Sequence, residues 1–517
     1  MANLEPLLRL HPSDNLAVTR RAVKADEVVT LDGQSITIAE AIPANHKVAI
    51  QQIAKGQTIR KFGQPIGSAV TPISVGQWIH VQNVSIEREQ AGYEFCTEIV
   101  PPPKPAEPRT FMGYRRKDGR VGTRNYIAVI STVNCSATTA RYVAQELAKS
   151  DLSNYPNIDG VIPIVHKSGC AFAYNGEDHH LLNRTLAGFA RHPNIAACLV
   201  LGLGCETAQA GHLQETHGLV QLSGAKRREA DDSLPMVLNI QEVGGVRKTV
   251  DRAVSVLREL LANANAVKRE PIPLSELILG LQCGGSDGAS GITANPALGV
   301  ASDLLVAHGG GSVLAETPEV YGAEQLLLRR SVNRQVADKL LERIHWWEEY
   351  ARKNNASIDN NPSYGNKQGG LTTIIEKSLG AVAKGGTAPL QAVYQFAEPI
   401  TERGFTFMDT PGYDPISVTG LVAGGCQIVV FTTGRGSCFG CKPAPTIKVA
   451  TNSLMYNRMR DDMDINAGSI LEGASVESVG REIFESIIAT ASGQKTLSEQ
   501  QGIGDEEFCP WMPGPIF

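Results

Sequence analysis

The residues best equipped for chemistry in this chain are cysteines, and their placement repeats. Four apolar runs of strand type end shortly before a thiol, giving Val133-Asn134-Cys135, His166-Lys167-Ser168-Gly169-Cys170, Gly204-Cys205-Glu206 and Gln282-Cys283-Gly284-Gly285. In an open parallel sheet, ligands bind beyond the carboxyl ends of the strands. If the four strands are neighbours, four thiols converge on one rim, and thiolates gathered in that way bind iron or zinc. His166 and Glu206 lie in the same stretches. The competing use of cysteine is as a small apolar filler, a reading that suits Cys96, Cys198, Cys426 and Cys509, which stand outside the pattern. Cys438 and Cys441 form a C-x-x-C, but no second pair follows to complete a zinc site, so they rank as a weak redox or metal candidate.

The elements that must position these thiols follow from the apolar patterning. Runs at 126–130, 160–165, 197–202, 276–281 and 427–431 read as buried strands, alternating with helical stretches such as 138–149. Pro163 predicts an edge or bulge position for the second run, because proline cannot donate to a ladder. Such alternation implies largely parallel sheets covered by helices. A long helix is expected over 332–353, with Trp346 and Trp347 packing. The first ~95 residues differ, with short strand signals split by Asp, Gly, Asn and Pro, as in a small β-rich fold. Pro101 to Pro108 reads as an extended linker. The expected division is a β domain at 1–98, a linker at 99–112, an α/β domain at 113–330, and a helical segment with a second α/β domain at 331–517.

With 517 residues the chain exceeds one ordinary core. Its 48 basic and 53 acidic residues give a net charge of −5, which argues against nucleic acid as a partner. No apolar run reaches the ~20 residues of a membrane helix, and the N-terminus lacks a secretory layout. Ten cysteines in that setting point to reduced thiols in a cytoplasm. Neither Gly202-Leu203-Gly204 nor Gly309-Gly310-Gly311 continues as a dinucleotide fingerprint, and no phosphate loop, H-E-x-x-H or nucleophile elbow occurs.

Several long strings carry a resemblance. Residues 113–125 (GYRRKDGRVGTRN), Cys283-Gly284-Gly285-Ser286-Asp287 with 290–296 (SGITANP), 361–367 (NPSYGNK), 376–380 (EKSLG), 431–436 (FTTGRG) and 464–468 (DINAG) span most of the chain. Together they resemble the altronate/galactarate dehydratase family. His11, Asp14-Asn15, Asn45-His46-Lys47 and 63–67 (GQPIG) are similar to the SAF-type β domain that such dehydratases carry. Tyr321-Gly322-Ala323-Glu324-Gln325 and Glu177-Asp178-His179-His180 look more like altronate than galactarate dehydratases. One loop departs from the family pattern: where Gly-Arg-Gly-Thr-Pro-Tyr-Gly is expected, the chain has Gly434-Arg435-Gly436-Ser437-Cys438-Phe439-Gly440-Cys441, at a position suited to touch the sugar.

The resemblance implies a hydro-lyase that takes a proton from C2 of a sugar acid and hydroxide from C3, giving a 2-keto-3-deoxy acid. It implies Fe2+, with Mn2+ and an iron–sulfur cluster as alternatives. The expected ligands are Cys135, His166, Cys170, Cys205 and Cys283, with Glu206 as an oxygen donor. His46 is the favoured general base, since histidine titrates near neutrality. Lys367 competes with it, and His180 is a third candidate. A role for His46 requires the small domain to fold over the α/β rim. Arg115, Arg124 and Arg435 are the expected carboxylate forks, with Asn125, Ser286, Asp287 and Asn366 reading hydroxyls. The expected partner is a small sugar acid, D-altronate first, in a homodimer. The alternatives are galactarate, a sulfonated hydroxy acid that loses sulfite, and, in another class, a non-catalytic carbohydrate-binding protein.

Overall fold

The computed structural model describes residues 4–86, 92–103, 105, 107–149, 152–208, 220–221 and 236–517. Of the expected linker, Lys104 and Ala106 lie outside these residues, and its last three residues belong to a strand, Thr110–Arg115, paired antiparallel with Glu270–Pro273.

The N-terminal module is built of short antiparallel strands. Leu7–Leu8, Leu16–Thr19, Lys47–Ala49 and Trp78–Ile79 form one sheet, and Thr58–Lys61, Gln64–Ala69 and Val84–Ser85 form another. Ile53, Ile59, Ile66, Ile73 and Ile79 are fully buried, in a core continuous with Leu298, Ile374 and Leu379 of the C-terminal part. The module is packed against the rest of the molecule through apolar surface.

A first parallel sheet contains β1 (Tyr126–Ser131), β2 (Gly160–Ile164), β3 (Ile195–Gly202), β4 (Val220–Gln221) and β5 (Met236–Asn239), in the order β2-β1-β3-β5-β4. Every residue of β1 is buried, as expected of a strand covered on both faces. Strand β2, with Pro163, takes the edge as its proline requires. Helix α1 (Asn134–Lys149) buries Thr139, Ala140, Val143, Ala144 and Leu147 at helical spacing, so it lies flat on the sheet.

The second sheet is larger. It comprises β6 (Ile278–Cys283), β7 (Gly311–Leu314), β8 (Leu390–Tyr394), β9 (Gly404–Met408), β10 (Ile428–Thr433), β11 (Thr446–Ala450) and β12 (Ile465–Asn466), all parallel, in the order β8-β9-β7-β6-β10-β11-β12. Strands β6 and β7 were expected in the first α/β domain, so the division falls near residue 270 and the anticipated break at 330 lies inside the second unit. The helix expected over 332–353 is present as Arg334–Lys353, and its Trp347 stacks on Trp511. None of the described helices is long and apolar enough to cross a membrane.

Candidate active site and metal centre

The N-terminal module docks onto the carboxyl end of the seven-stranded sheet through a buried ionic clamp. Lys47 and Lys61 each reach Glu376 at 2.9 Å, with all three side chains excluded from solvent. Lys47 also donates to the Gly370 carbonyl at 2.6 Å, and Thr372 Oγ1 donates to Glu376 at 2.7 Å. Burial alone would raise the Glu376 carboxyl, but the two ammonium groups overcome it and hold it well below the usual carboxylate range. Burial lowers Lys47 to about 8. The backbones meet so closely that a β-carbon on Gly370 (φ 105°) would lie 2.6 Å from the Asn45 carbonyl, which restricts this position to glycine.

His46 sits in this contact with both ring nitrogens engaged. Its Nδ1 accepts from the Trp78 indole at 3.1 Å, so its Nε2 carries the hydrogen directed at the Gln368 carbonyl 3.2 Å away. His80 stacks on Trp78 at 5.0 Å and meets His46 edge-on at 5.2 Å. Burial, with Lys47 nearby, pulls both imidazoles down to about 4, so both are neutral near pH 7.

Beneath the clamp lies a cluster formed where β6 ends. The Cys283 thiol stands 2.9 Å from Lys384 Nζ, 3.5 Å from Glu316 Oε2 and 3.4 Å from Glu319 Oε2. Lys384 pairs with Glu316 at 3.0 Å, and Lys377 with Glu319 at 2.6 Å. Gln282 Nε2 bridges Glu316 at 2.7 Å and Asp414 at 3.1 Å. Burial, reinforced by Glu316, pushes the Cys283 thiol up. Burial and the neighbouring Glu316 and Glu319 push Asp414 up to about 7. Glu316 holds a left-handed conformation (φ 68°), a strained state that a surrounding network must enforce. The donor atoms of Cys283, Glu316 and Glu319 all lie within 4.8 Å of one another, and all three residues are buried. A thiolate with two carboxylates suits a divalent transition metal, so the donor set fits the iron expected from the sequence resemblance. A hollow of water size, about 10 Å³, connects Cys283 and Ser286 with Lys61 and Glu376 of the clamp.

Two cations at this edge remain uncommitted. Arg435 is exposed, Lys367 is half-buried, and neither makes a hydrogen bond or ion pair through its side chain among the described residues. Lys367 is close enough to add to the lowering of His80 by burial and to oppose the burial that raises Asp359. The segment 367–370 runs between the two partners: His46 holds Gln368, and a β-carbon on Gly369 would lie 3.2 Å from Arg435 Cδ.

Three family profiles match the chain: the altronate/galactarate dehydratase SAF domain over 5–87, the second domain of D-galactarate dehydratase/altronate hydrolase over 113–265, and the D-galactarate/altronate dehydratase C-terminal domain over 274–516. The altronate dehydratase of Bacillus subtilis is 38% identical over 499 residues, covering 96% of this chain and 97% of that protein. The chain belongs to the altronate/galactarate dehydratase family. Its other relatives include the altronate dehydratase of Escherichia coli, 34% identical over 95% of this chain and 96% of that protein, and the L-threo-forming galactarate dehydratase of Escherichia coli, 36% identical over 98% and 97%. As a member of this family the chain is a carbon–oxygen lyase of the hydro-lyase type.

For this dehydratase the expected ligand set splits. Cys135, Cys170 and Cys205 share the rim of the five-stranded sheet, whereas Cys283 ends a strand of the other sheet, so the four thiols do not form one centre. His166 is no ligand as it stands: its Nε2 pairs with the Ser131 carbonyl at 3.0 Å and its Nδ1 accepts from Ser168 N at 3.2 Å. Glu206 is equally committed, accepting from Thr132 Oγ1 at 2.6 Å and from the amides of Leu203 and Gly204 at 3.1 and 2.6 Å.

Most of the expected substrate readers are structural. Arg124 is buried, with two nitrogens on Glu499 at 2.7 and 2.8 Å. Arg115 pairs with Glu270 on the surface. Asn125 joins Arg116 to the Asn157 and Ala264 carbonyls. Asp287 accepts from Thr451, Asn452 and Ser290, and Asn366 caps its own helix while donating to the Ser286 carbonyl. Ser286 lines the hollow beside Cys283, and the side chains of Arg435 and Lys367 have no hydrogen-bond or ionic partner among the described residues. His180 is exposed on the helix Glu177–Ala190, away from the clamp. Cys441 is buried in the core while Cys438 is exposed, so the C-x-x-C does not face one ion. Sequence reasoning missed Glu316, Glu319, Lys377, Lys384, Asp414 and His80. The E-x-x-E spacing of Glu316 and Glu319, and two lysines seven residues apart on one helical stretch, were the available signals.

Proposed function

We propose that the chain dehydrates D-altronate, in an iron-dependent reaction, at the cleft between its N-terminal module and the seven-stranded sheet. The observation that carries this reading is the pair of uncommitted side chains, Arg435 and Lys367, on the loops that flank a buried thiol–carboxylate cluster. A single guanidinium fork suits one carboxylate, which favours an aldonate over the dicarboxylate galactarate. The Bacillus subtilis relative, named for altronate, supports the same substrate.

Arg435 binds the substrate carboxylate through its planar fork. Lys367 takes the C2 proton. His46 is a positioning residue in this scheme, because its Nε2–H steers the segment that carries Lys367. Asp414, which titrates near neutrality, gives a proton to the departing C3 hydroxide, so that water leaves and the enol rearranges to the 2-keto-3-deoxy acid. Cys283, Glu316 and Glu319 would hold the ferrous ion, with Lys377 and Lys384 balancing the carboxylate charge. When bound, the ion supplies Lewis acidity that steadies negative charge near the substrate carboxylate and eases loss of hydroxide.

The test is a panel of hexonates and aldarates incubated with the anaerobic, iron-supplied chain and assayed for 2-keto-3-deoxy product. D-altronate should be turned over well ahead of galactarate. Turnover of galactarate alone would overturn the substrate assignment.

A further inference from the structure

The rim of the five-stranded sheet carries three thiols that the cleft does not use. Cys135, Cys170 and Cys205 are free and exposed, just beyond the carboxyl ends of the adjacent strands β1, β2 and β3. Their loops are tied to one another. Asn134 N donates to the Ser168 carbonyl at 2.9 Å, Ala208 N to the Gly169 carbonyl at 3.1 Å, and Thr132 Oγ1 to Glu206 at 2.6 Å. Gly169 (φ 111°) is so near β1 that a β-carbon there would lie 2.4 Å from the Thr132 carbonyl. Two of the sulfurs also accept hydrogen bonds from neighbouring side chains. Cys135 sits in the first turn of α1. Cys170 accepts from Thr207 Oγ1 at 3.8 Å, and Cys205 from Gln241 Nε2 at 3.4 Å. Core packing does not account for exposed thiols, and three together are an oxidation liability.

The spacing selects the ligand. Two sulfurs on a single ion, each about 2.3 Å from it, lie at most about 4.6 Å apart. Among the described residues, the group of three or more His, Cys, Asp or Glu side chains whose donor atoms all fall within 4.8 Å of one another is Cys283, Glu316 and Glu319. The three rim sulfurs therefore do not all lie within the span of one ion, and His166 and Glu206, already engaged in hydrogen bonds, do not complete a mononuclear set. Irons bridged by sulfide span a wider gap and take a thiolate at each corner. We infer that Cys135, Cys170 and Cys205 hold a cubane iron–sulfur cluster, leaving one iron without a protein thiolate. Binding of the assembled cluster is ligand exchange: three thiols release their protons as three Fe–S bonds form, and no oxidation state changes.

The test is anaerobic purification of the full chain from iron-replete cells, followed by acid-labile sulfide analysis, visible absorption and electron paramagnetic resonance after reduction. About four sulfides per chain are expected. Each of Cys135→Ser, Cys170→Ser and Cys205→Ser should lose them with its melting temperature unchanged, whereas Cys283→Ser should keep them. In the wild-type protein the same three thiols should resist alkylation until the cluster is stripped, a readout that needs no variant. Iron without sulfide in the wild-type protein, full sulfide in the triple serine variant, or rim thiols that alkylate at once would each overturn the inference. Any of these leaves the proposed dehydration at Cys283 standing, since that reading uses none of the three thiols.

Discussion

Arg435 and Arg124 are the same side chain put to opposite uses. Arg124 is buried with Glu499 in a bidentate pair, and truncating it strands a buried carboxylate. Arg124→Ala should cost about 3–5 kcal/mol, seen as a large fall in melting temperature with KM unaltered. Arg435 has no side-chain hydrogen-bond or ionic partner to lose among the described residues. Arg435→Ala should leave the melting temperature unchanged and raise KM for the sugar acid about 10- to 100-fold, the worth of a charge-assisted hydrogen bond. Sequence patterning nominated both arginines equally, because it reports residue type and neighbours but not burial. The same limit hid Lys377 and Lys384: lysines read as surface until two glutamates are seen buried beside them.

At the level of elements, the strand-then-thiol pattern was legible, and so was the edge position that Pro163 gives to β2. The membership of β6 was not. Strands buried on both faces all read as apolar runs, and parallel pairing leaves no mark in the sequence, so the Cys283 strand looked like a fourth member of the first sheet. The loops at that sheet's rim depend on close approach of backbone to backbone. Gly169→Ala should therefore destabilise the five-stranded domain by about 1–3 kcal/mol. Denaturant unfolding checks this, and an unchanged midpoint would show that the loop relaxes freely.

For the whole molecule, the docking of the N-terminal module on the second α/β unit, which a role for His46 required, is present, although the histidine holds backbone instead of offering a free nitrogen. Glu376→Gln would leave Lys47 and Lys61 buried against a neutral amide and should cost about 3–5 kcal/mol, detected as faster proteolytic release of the module. The docking should also weaken in acid. His46 and His80 titrate at about 4 when docked and near ~6.5 when exposed. Between those values the exposed state binds more protons, so stability falls as pH drops from about 6.5 toward 4. Hydrogen exchange in the module, corrected for intrinsic rates, should be markedly faster at pH 5 than at pH 7.

The central claim is that a sugar acid loses water at this interdomain cleft, and D-altronate turnover under anaerobic, ferrous conditions tests it most directly when wild type, Arg435→Ala and Cys283→Ser are compared. The account predicts 2-keto-3-deoxy acid from the wild type, a raised KM with little change in kcat for Arg435→Ala, and loss of both turnover and cleft iron for Cys283→Ser. Undiminished kcat/KM in both variants would contradict it.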